Sequence, residues 1–200
     1  MESTEFLIRR AQKGDTGAFA ELVTLYQHKV YTLCYHLAGN HADAEDLAQD
    51  VFMRAFGAIE GFRNEADFGT WLHRIAVNVW LNSRRRQPQA VSLDNPVVTD
   101  EGEIPRALAA ADPPPEQVLE ALELRLQVRR ALAELPPEYR AVLVLREMYG
   151  YTYEEIGRFL ACNVGTVRSR LNRARRALRE KIGMTEGKAG PAHAKAGRTR

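Results

Sequence analysis

Apolar residues recur at spacings of three and four through most of the chain, the mark of helices that bury one face. "TEFLIRRAQKGD" predicts a short helix that ends at Gly14. In "AFAELVTLYQHKVYTLCYHLAG" the register runs through Phe19, Leu22, Val23, Tyr26, Val30, Leu33 and Leu37, and Gly39-Asn40 breaks it. "ADAEDLAQDVFMRAFGAI" predicts a third helix, closed by Gly61, with Leu47, Val51 and Ala55 inward. "DFGTWLHRIAVNVWLNSRRR" predicts a fourth, burying Phe68, Leu72, Ile75, Ala76 and Val79 and ending before Pro88. A second block opens with "PEQVLEALELRLQVRRALAEL" and continues in "PPEYRAVLVLREMY". There, proline stands at the helix start, where its missing N–H is harmless. Gly150 stops that helix, and Thr152 with Glu155 forms a capping box for the next. No strand-length alternation interrupts this pattern. The fold class is all-α: two small helical domains on a linker.

Residues 87–115 keep no period, because Pro88, Pro96, Pro105 and Pro113-Pro114-Pro115 forbid a continuous helix. Asp94, Asp100, Glu101, Glu103 and Asp112 stand there against Arg106, so the linker reads as acidic and extended. The tail from Gly183 is small, polar and basic, and is expected to be disordered. The domains are therefore expected at 1–86 and 116–182, with the linker at 87–115 and the tail at 183–200.

Composition narrows the function classes. Two hundred residues suffice for one ordinary domain or two small ones, and 45% hydrophobic with 27% charged residues suits a soluble globular chain. Net charge is only +2, so any strongly basic stretch is a local concentration. No apolar run approaches the roughly 18 residues that span a bilayer, and the charged N-terminus does not resemble a secretory signal. Cys34 and Cys162, far apart and outside any CxxC pair, read as reduced thiols. The expected location is the cytoplasm.

The basic stretch is "VGTVRSRLNRARRALREK". Val164, Val167, Leu171, Ala174, Leu178 and Ile182 make its apolar stripe, and Arg168, Arg170, Arg173, Arg175, Arg176, Arg179 and Lys181 stud the rest. Before it, "TYEEIGRFLACN" supplies a short capped helix and a tight turn of about four residues. Gly157 is small enough for the two helices to cross closely, and Asn163 is placed to cap the second. This is the grammar of a helix-turn-helix whose second helix enters the major groove. Arg168, Ser169, Asn172 and Arg173 share its exposed N-terminal surface, where arginine suits guanine edges and phosphates alike. A solvated basic surface, or an RNA- or lipid-binding helix, is the alternative for the basic run alone.

The segment "LPPEYRAVLVLREMYGYTYEEIGRFLACNVGTVRSRLNRARRALRE" resembles region 4 of extracytoplasmic-function (ECF) sigma factors of bacterial RNA polymerase. "DAEDLAQDVFMRAF" and "FRNEADFGTWLHRIAVN" resemble region 2 of that family, in the same order along the chain. Ala161 departs from a common glycine in the turn, Gly157 from a common alanine and Asn163 from a common proline. None of these removes a functional side chain. The resemblance implies a two-domain fold, with a three- to four-helix, winged-helix-like region 4. It also implies a subunit of core polymerase, contacting the β′ clamp helices and the β flap, that reads promoter DNA without any cofactor or metal.

Site residues follow from the resemblance, each beside what its own spacing allows. Asp46, Gln49, Asp50 and Met53 form a stripe on the third helix that could be an ordinary solvated face. In the family it binds the clamp helices, with Phe56 packing nearby. Trp71, Arg74, Asn78 and Asn82 line one side of the fourth helix and combine aromatic, cation and amide as single-stranded DNA requires. Trp71 could equally be core. In the family this helix separates strands at the −10 element, and Phe62 and Asn78 fall on positions that line the pocket for an extruded base. Thr166, Arg168, Ser169, Asn172, Arg173 and Arg176 are the expected −35 contacts. The linker is expected to thread the polymerase cleft, and an anti-sigma factor, membrane-bound in many members, is the expected inhibitor.

Two rival classes stand beside this one. A response-regulator-like transcription factor would need a receiver domain with alternating strands or a ligand pocket, and residues 1–86 predict neither. An enzyme would need a recognisable constellation. His28, His36 and His41 lie near Asp43 and Glu45, but there is no HExxH, glycine-rich phosphate loop or nucleophile elbow. They read as surface histidines.

Overall fold

The computed structural model describes residues 2–63, 66–86 and 115–186. Each helix begins and ends where local chemistry favours it. The first, α1 (Thr4–Gln12), is capped by the Ser3 hydroxyl, which accepts from the Phe6 amide. In α2 (Thr16–Ala38) the Asp15 carboxylate accepts from the Ala18 amide, and Gly39 closes the helix at φ 92°. That is a left-handed angle that glycine adopts freely. Asn40 caps α3 (His41–Ala58), which runs into a 3₁₀ turn, Ile59–Gly61. The Asp67 carboxylate accepts from the Gly69 amide at the start of α4 (Phe68–Arg86). These four helices pack on one another around Leu22, Leu33, Leu37, Val51, Leu72 and Ala76, all buried.

The second block comprises α5 (Pro115–Ala133), α6 (Pro137–Leu143), α7 (Tyr153–Phe159) and α8 (Val164–Glu186). The expected α6 changes character halfway, because Val144–Met148 winds as a π-helical turn. Thr152 and Glu155 complete both halves of the expected capping box. Ile156, Phe159, Val167, Leu171 and Ala174 bury the contact between α7, α8 and α6. Among the described residues there is no strand, so this unit is built of helices alone.

Several expectations are corrected. α8 continues through Glu186, beyond the residue 182 expected as its end, because its helical register is not interrupted there. Pro115, which the domain bounds leave in the linker although the helical segment opens on it, is the first residue of α5, where a proline fits. Ile75 is half-buried rather than core. Of the histidines read as surface, only His28 is exposed. His41 bonds through Nδ1 to the Tyr31 hydroxyl at 2.5 Å, and His36 packs edge-on against Tyr149. The rest of the acidic linker and the end of the tail, 87–114 and 187–200, lie outside the described residues.

The two blocks also touch. His73, Val77 and Trp80, spaced four and three along α4, are buried on a second face of that helix, and α4 packs against α6 and α7. One hydrophobic core therefore runs through both blocks.

Candidate nucleic-acid interface

The helix-turn-helix is assembled by short-range bonds. The Asn163 side chain accepts from the Thr166 amide at 2.8 Å and from its hydroxyl at 3.0 Å, fixing the first turn of α8. The turn itself is tight. Ala161 sits at φ 48°, and the Cys162 amide donates to the Gly157 carbonyl at 2.9 Å. A Cβ on Gly157 would lie 2.8 Å from the Cys162 carbonyl oxygen and 3.9 Å from Val167. Glycine is thus required by the turn's own backbone, not by close crossing of the two helices as expected.

With its apolar stripe buried on α6 and α7, α8 turns Arg168, Ser169, Asn172, Arg173 and Arg176 to solvent. Thr166 is half-buried and engaged in the cap. The Arg168 guanidinium lies 5.7 Å from the centre of the Tyr153 ring, which Arg146 flanks at 5.1 Å. Tyr153 is thus a shelf that orients Arg168. Sequence reading missed it, since a tyrosine at a helix start carries no signal of its own. Other arginines of α8 are occupied. Arg175 is held by Glu147 at 2.6 Å, bracing α8 to the π turn, and Arg176 pairs with Glu180 one turn on at 2.8 Å.

On α4, Arg74, Asn78 and Asn82 are exposed along one face, with Trp71 half-buried at its start. Phe62 is apart from them in character. It is only 7% exposed, and its ring meets Phe68 at 5.4 Å and Trp71 at 5.1 Å. The Gln12 amide donates to the carbonyls of Ile59 (3.2 Å) and Phe62 (2.7 Å), so α1 holds this corner from outside. A small cleft of about 220 Å³ lies there, between Phe62, Arg63, Gln12 and Arg9.

A third surface lies on α3. Asp46, Gln49 and Asp50 are exposed, with Met53 68% and Phe56 45% exposed beyond them. Phe56 rests edge-on against Phe19 at 5.0 Å. Gln49 and Phe52 also border a groove of about 440 Å³ between α2 and α3, with Val23 and Tyr31 opposite. An exposed methionine and phenylalanine beside carboxylates make a surface suited to protein more than to nucleic acid.

Among the described residues no cluster of histidine, cysteine and carboxylate could hold a metal. Cys34 is buried, which pushes its thiol up to about 12, and Cys162 is half-exposed. None of the described helices is long and apolar enough to cross a membrane.

Comparison with known proteins agrees with this architecture. Residues 22–89 match the sigma-70 region 2 family and residues 125–178 the sigma-70 region 4 family. The ECF RNA polymerase sigma factor SigW of Bacillus subtilis is 39% identical over 176 residues, covering 88% of this chain and 94% of its own. The ECF RNA polymerase sigma-E factor of Escherichia coli is 39% identical over 181 residues, covering 89% and 93%. The fold is similar to that of CnrH, solved in complex with the cytosolic domain of CnrY. There the TM-score is 0.60 at 23% identity, covering 92% of this chain and 99% of that one. It is also similar to RpoE of Bartonella quintana, solved with the anti-sigma factor NepR (TM-score 0.57, 22% identity, 82% and 96% covered). Two matched regions in their family order, and relatives of this identity along most of both chains, lead to one conclusion: the chain belongs to the sigma-70 family of RNA polymerase sigma factors, in its ECF group.

Proposed function

We propose that this sigma factor directs core polymerase to promoters through three separate surfaces, and that it carries no catalysis of its own. Residues 1–86 act as the core-binding and −10 domain, and residues 116–182 as the −35 domain. Asp46, Gln49, Asp50, Met53 and Phe56 dock on the β′ clamp helices, where the carboxylates also repel DNA. Arg74, Asn78, Asn82 and the edge of Trp71 meet the opened −10 strand, offering phosphate neutralisation, base-edge bonds and stacking. Arg168, Ser169, Asn172 and Arg173 read the −35 duplex, with Thr166 and Arg176 at its margins. The β flap, met by the second block, holds that reader upstream.

The observation that carries this reading is the α7–turn–α8 unit. Its cap, left-handed turn and tyrosine shelf together aim arginine outward from a helix whose opposite face is buried. A chain working on polymerase and chromosome acts in the cytoplasm, and an anti-sigma factor is the partner that would silence it. Run-off transcription with purified core polymerase and a promoter library tests the proposal. Core-dependent, sequence-specific initiation is expected. Duplex binding with no core-dependent initiation would instead favour a helix-turn-helix regulator that is not a polymerase subunit.

A further inference from the structure

Arg168 and Arg173 stand on the same exposed face of α8, yet their surroundings differ. The Arg168 guanidinium lies 5.7 Å from the centre of the Tyr153 ring, within the distance at which a cation and an aromatic face attract. Arg173 has no ring, carboxylate or carbonyl beside it among the described residues. One recognition surface therefore carries one arginine that is steered and one that is not.

The ring is itself held in place. Tyr153 is the first residue of α7, set there by the capping box of Thr152 and Glu155. It is half-buried and packs against the core. The Arg146 guanidinium flanks it at 5.1 Å from the ring centre. Arg146 is anchored in turn, donating to the Tyr151 carbonyl at 2.9 Å, and the Tyr151 ring meets Phe159 edge-on at 4.8 Å. A chain of contacts thus runs from the core to a single exposed guanidinium. Every member except Arg168 lies outside α8.

Such a contact changes direction more than charge. An exposed arginine samples many rotamers, and seating it on a base edge freezes one of them. A fixed ring beside the guanidinium removes part of that cost in advance. The contact takes up no hydrogen-bond acceptor, so the N–H donors stay available to a base. Arg175 differs, because it commits Nε and Nη2 to Glu147. Phosphate contacts carry no sequence information and tolerate a loose cation, whereas the two-pronged fit to a guanine edge needs its plane held. Steering therefore adds discrimination more than affinity. Docking on DNA also strips water from the pair, where a cation beside a ring is held more strongly than at an exposed site.

We infer that Tyr153 is a positioning residue for promoter choice, sharpening the preference for the base pair that Arg168 reads. Part of the sequence preference is then set on α7, outside the recognition helix, with Arg146 fixing the ring. This rests on the proposed reading of the −35 duplex by α8.

Selection from a duplex library randomised across the −35 element, by polymerase assembled from core and the full chain, tests it. Preferences at each position are compared between the parent and Tyr153→Leu, Tyr153→Phe, Arg168→Ala and Arg173→Ala. Tyr153→Leu should lower the preference by about fivefold at the position that Arg168→Ala flattens. At the position that Arg173→Ala flattens, it should stay within about twofold of the parent. Tyr153→Phe keeps the ring and should restore the parental preference. Adding Tyr153→Leu to Arg168→Ala should change nothing further, because the ring acts only through that guanidinium. The slope of affinity against salt should match the parent in Tyr153→Leu, since no cation is lost. A tyrosine that only supported the fold would loosen α7 against α8 and weaken every position together. That uniform loss, an unchanged preference in Tyr153→Leu, or an equal loss in Tyr153→Phe would overturn the steering role. So would a flat loss for Arg168→Ala, which would make that side chain a phosphate contact. A parent polymerase with no preference at any position would instead overturn the −35 assignment itself, and the steering with it.

Discussion

At φ 48°, Ala161 is a non-glycine residue in the left-handed region, in the middle of the helix-turn-helix. Its Cβ is crowded against the backbone there, at a cost of about 1 kcal/mol. Ala161→Gly should therefore raise stability by about that amount, measured as the urea midpoint; a drop would mean the unfolded chain's gain in freedom outweighs the relieved strain. The departure from glycine was visible in the sequence, but only the backbone angle turns it into strain. His73 carries no mark of its own in the sequence, because a histidine within an apolar row does not show what packs against it. Burial is the main force pushing its ring down to about 4, with Lys29 adding and Asp67 opposing, while Tyr149 and Tyr151 face it from the other block. The unfolded ring titrates near 6.5, so between pH 6.5 and 4 the unfolded chain binds the extra proton. Stability from the neutral ring is thus complete above about pH 6.5 and lost as pH falls toward 4, by about 2 kcal/mol between pH 7 and 5. His36 is lowered in the same sense, also by burial first, so the comparison must be with a variant. Urea unfolding across that range should show a shallower pH dependence for His73→Leu than for the parent. Identical slopes would mean the ring is solvated.

Among the elements, α8 combines a buried stripe, a cap and a row of cations, all encoded within about 20 adjacent residues. That is why its helix, cap and exposed face could be read in advance. Which arginines brace the fold could not, because Glu147 ties Arg175 to the π turn, whereas the Arg176–Glu180 pair is solvent-exposed and leaves that cation open to phosphate. Arg168→Ala and Arg173→Ala should each cost about 1–3 kcal/mol of DNA binding, concentrated at particular base pairs of the −35 element. Arg176→Ala should weaken all sequences alike and flatten the salt dependence. Affinities for single-base variants of a duplex, at two salt concentrations, separate the cases. A flat loss for Arg168 and Arg173 would make them phosphate contacts. By contrast, the sequence pattern predicts one buried face for α4, and the fold has two. The signal was present: His73, Val77 and Trp80 make a second helically spaced row, and a helix apolar around most of its circumference is buried on more than one side. Its partner, however, is contributed from beyond a linker, and no local pattern names it. The π turn at Val144–Met148 likewise carries no signal in its own residues.

The proposed function divides reading the duplex and opening it between the two blocks, and one substitution can test that division. Asn78 is exposed on α4, remote from the α8 arginines in sequence and free of any role in the core. Phe62 does not offer the same test. It is buried against Phe68 and Trp71, so Phe62→Ala should cost about 3–5 kcal/mol of folding and confound any assay of DNA. If Asn78 bonds an extruded −10 base, polymerase carrying Asn78→Ala should still bind closed duplex promoter, since docking rests on α8 and on phosphate contacts. Opening should suffer, because unstacking a base costs a few kcal/mol that the lost bond no longer helps to offset. A promoter mismatched across the −10 region removes part of that cost in advance, and should restore much of the transcription. Permanganate reactivity of unpaired thymines, compared on duplex and pre-opened templates, reads the step directly. Parental opening on duplex by Asn78→Ala would leave Asn78 a solvated side chain and move strand separation to other residues. Equal defects on both templates would place its contribution after opening, in holding the single strand.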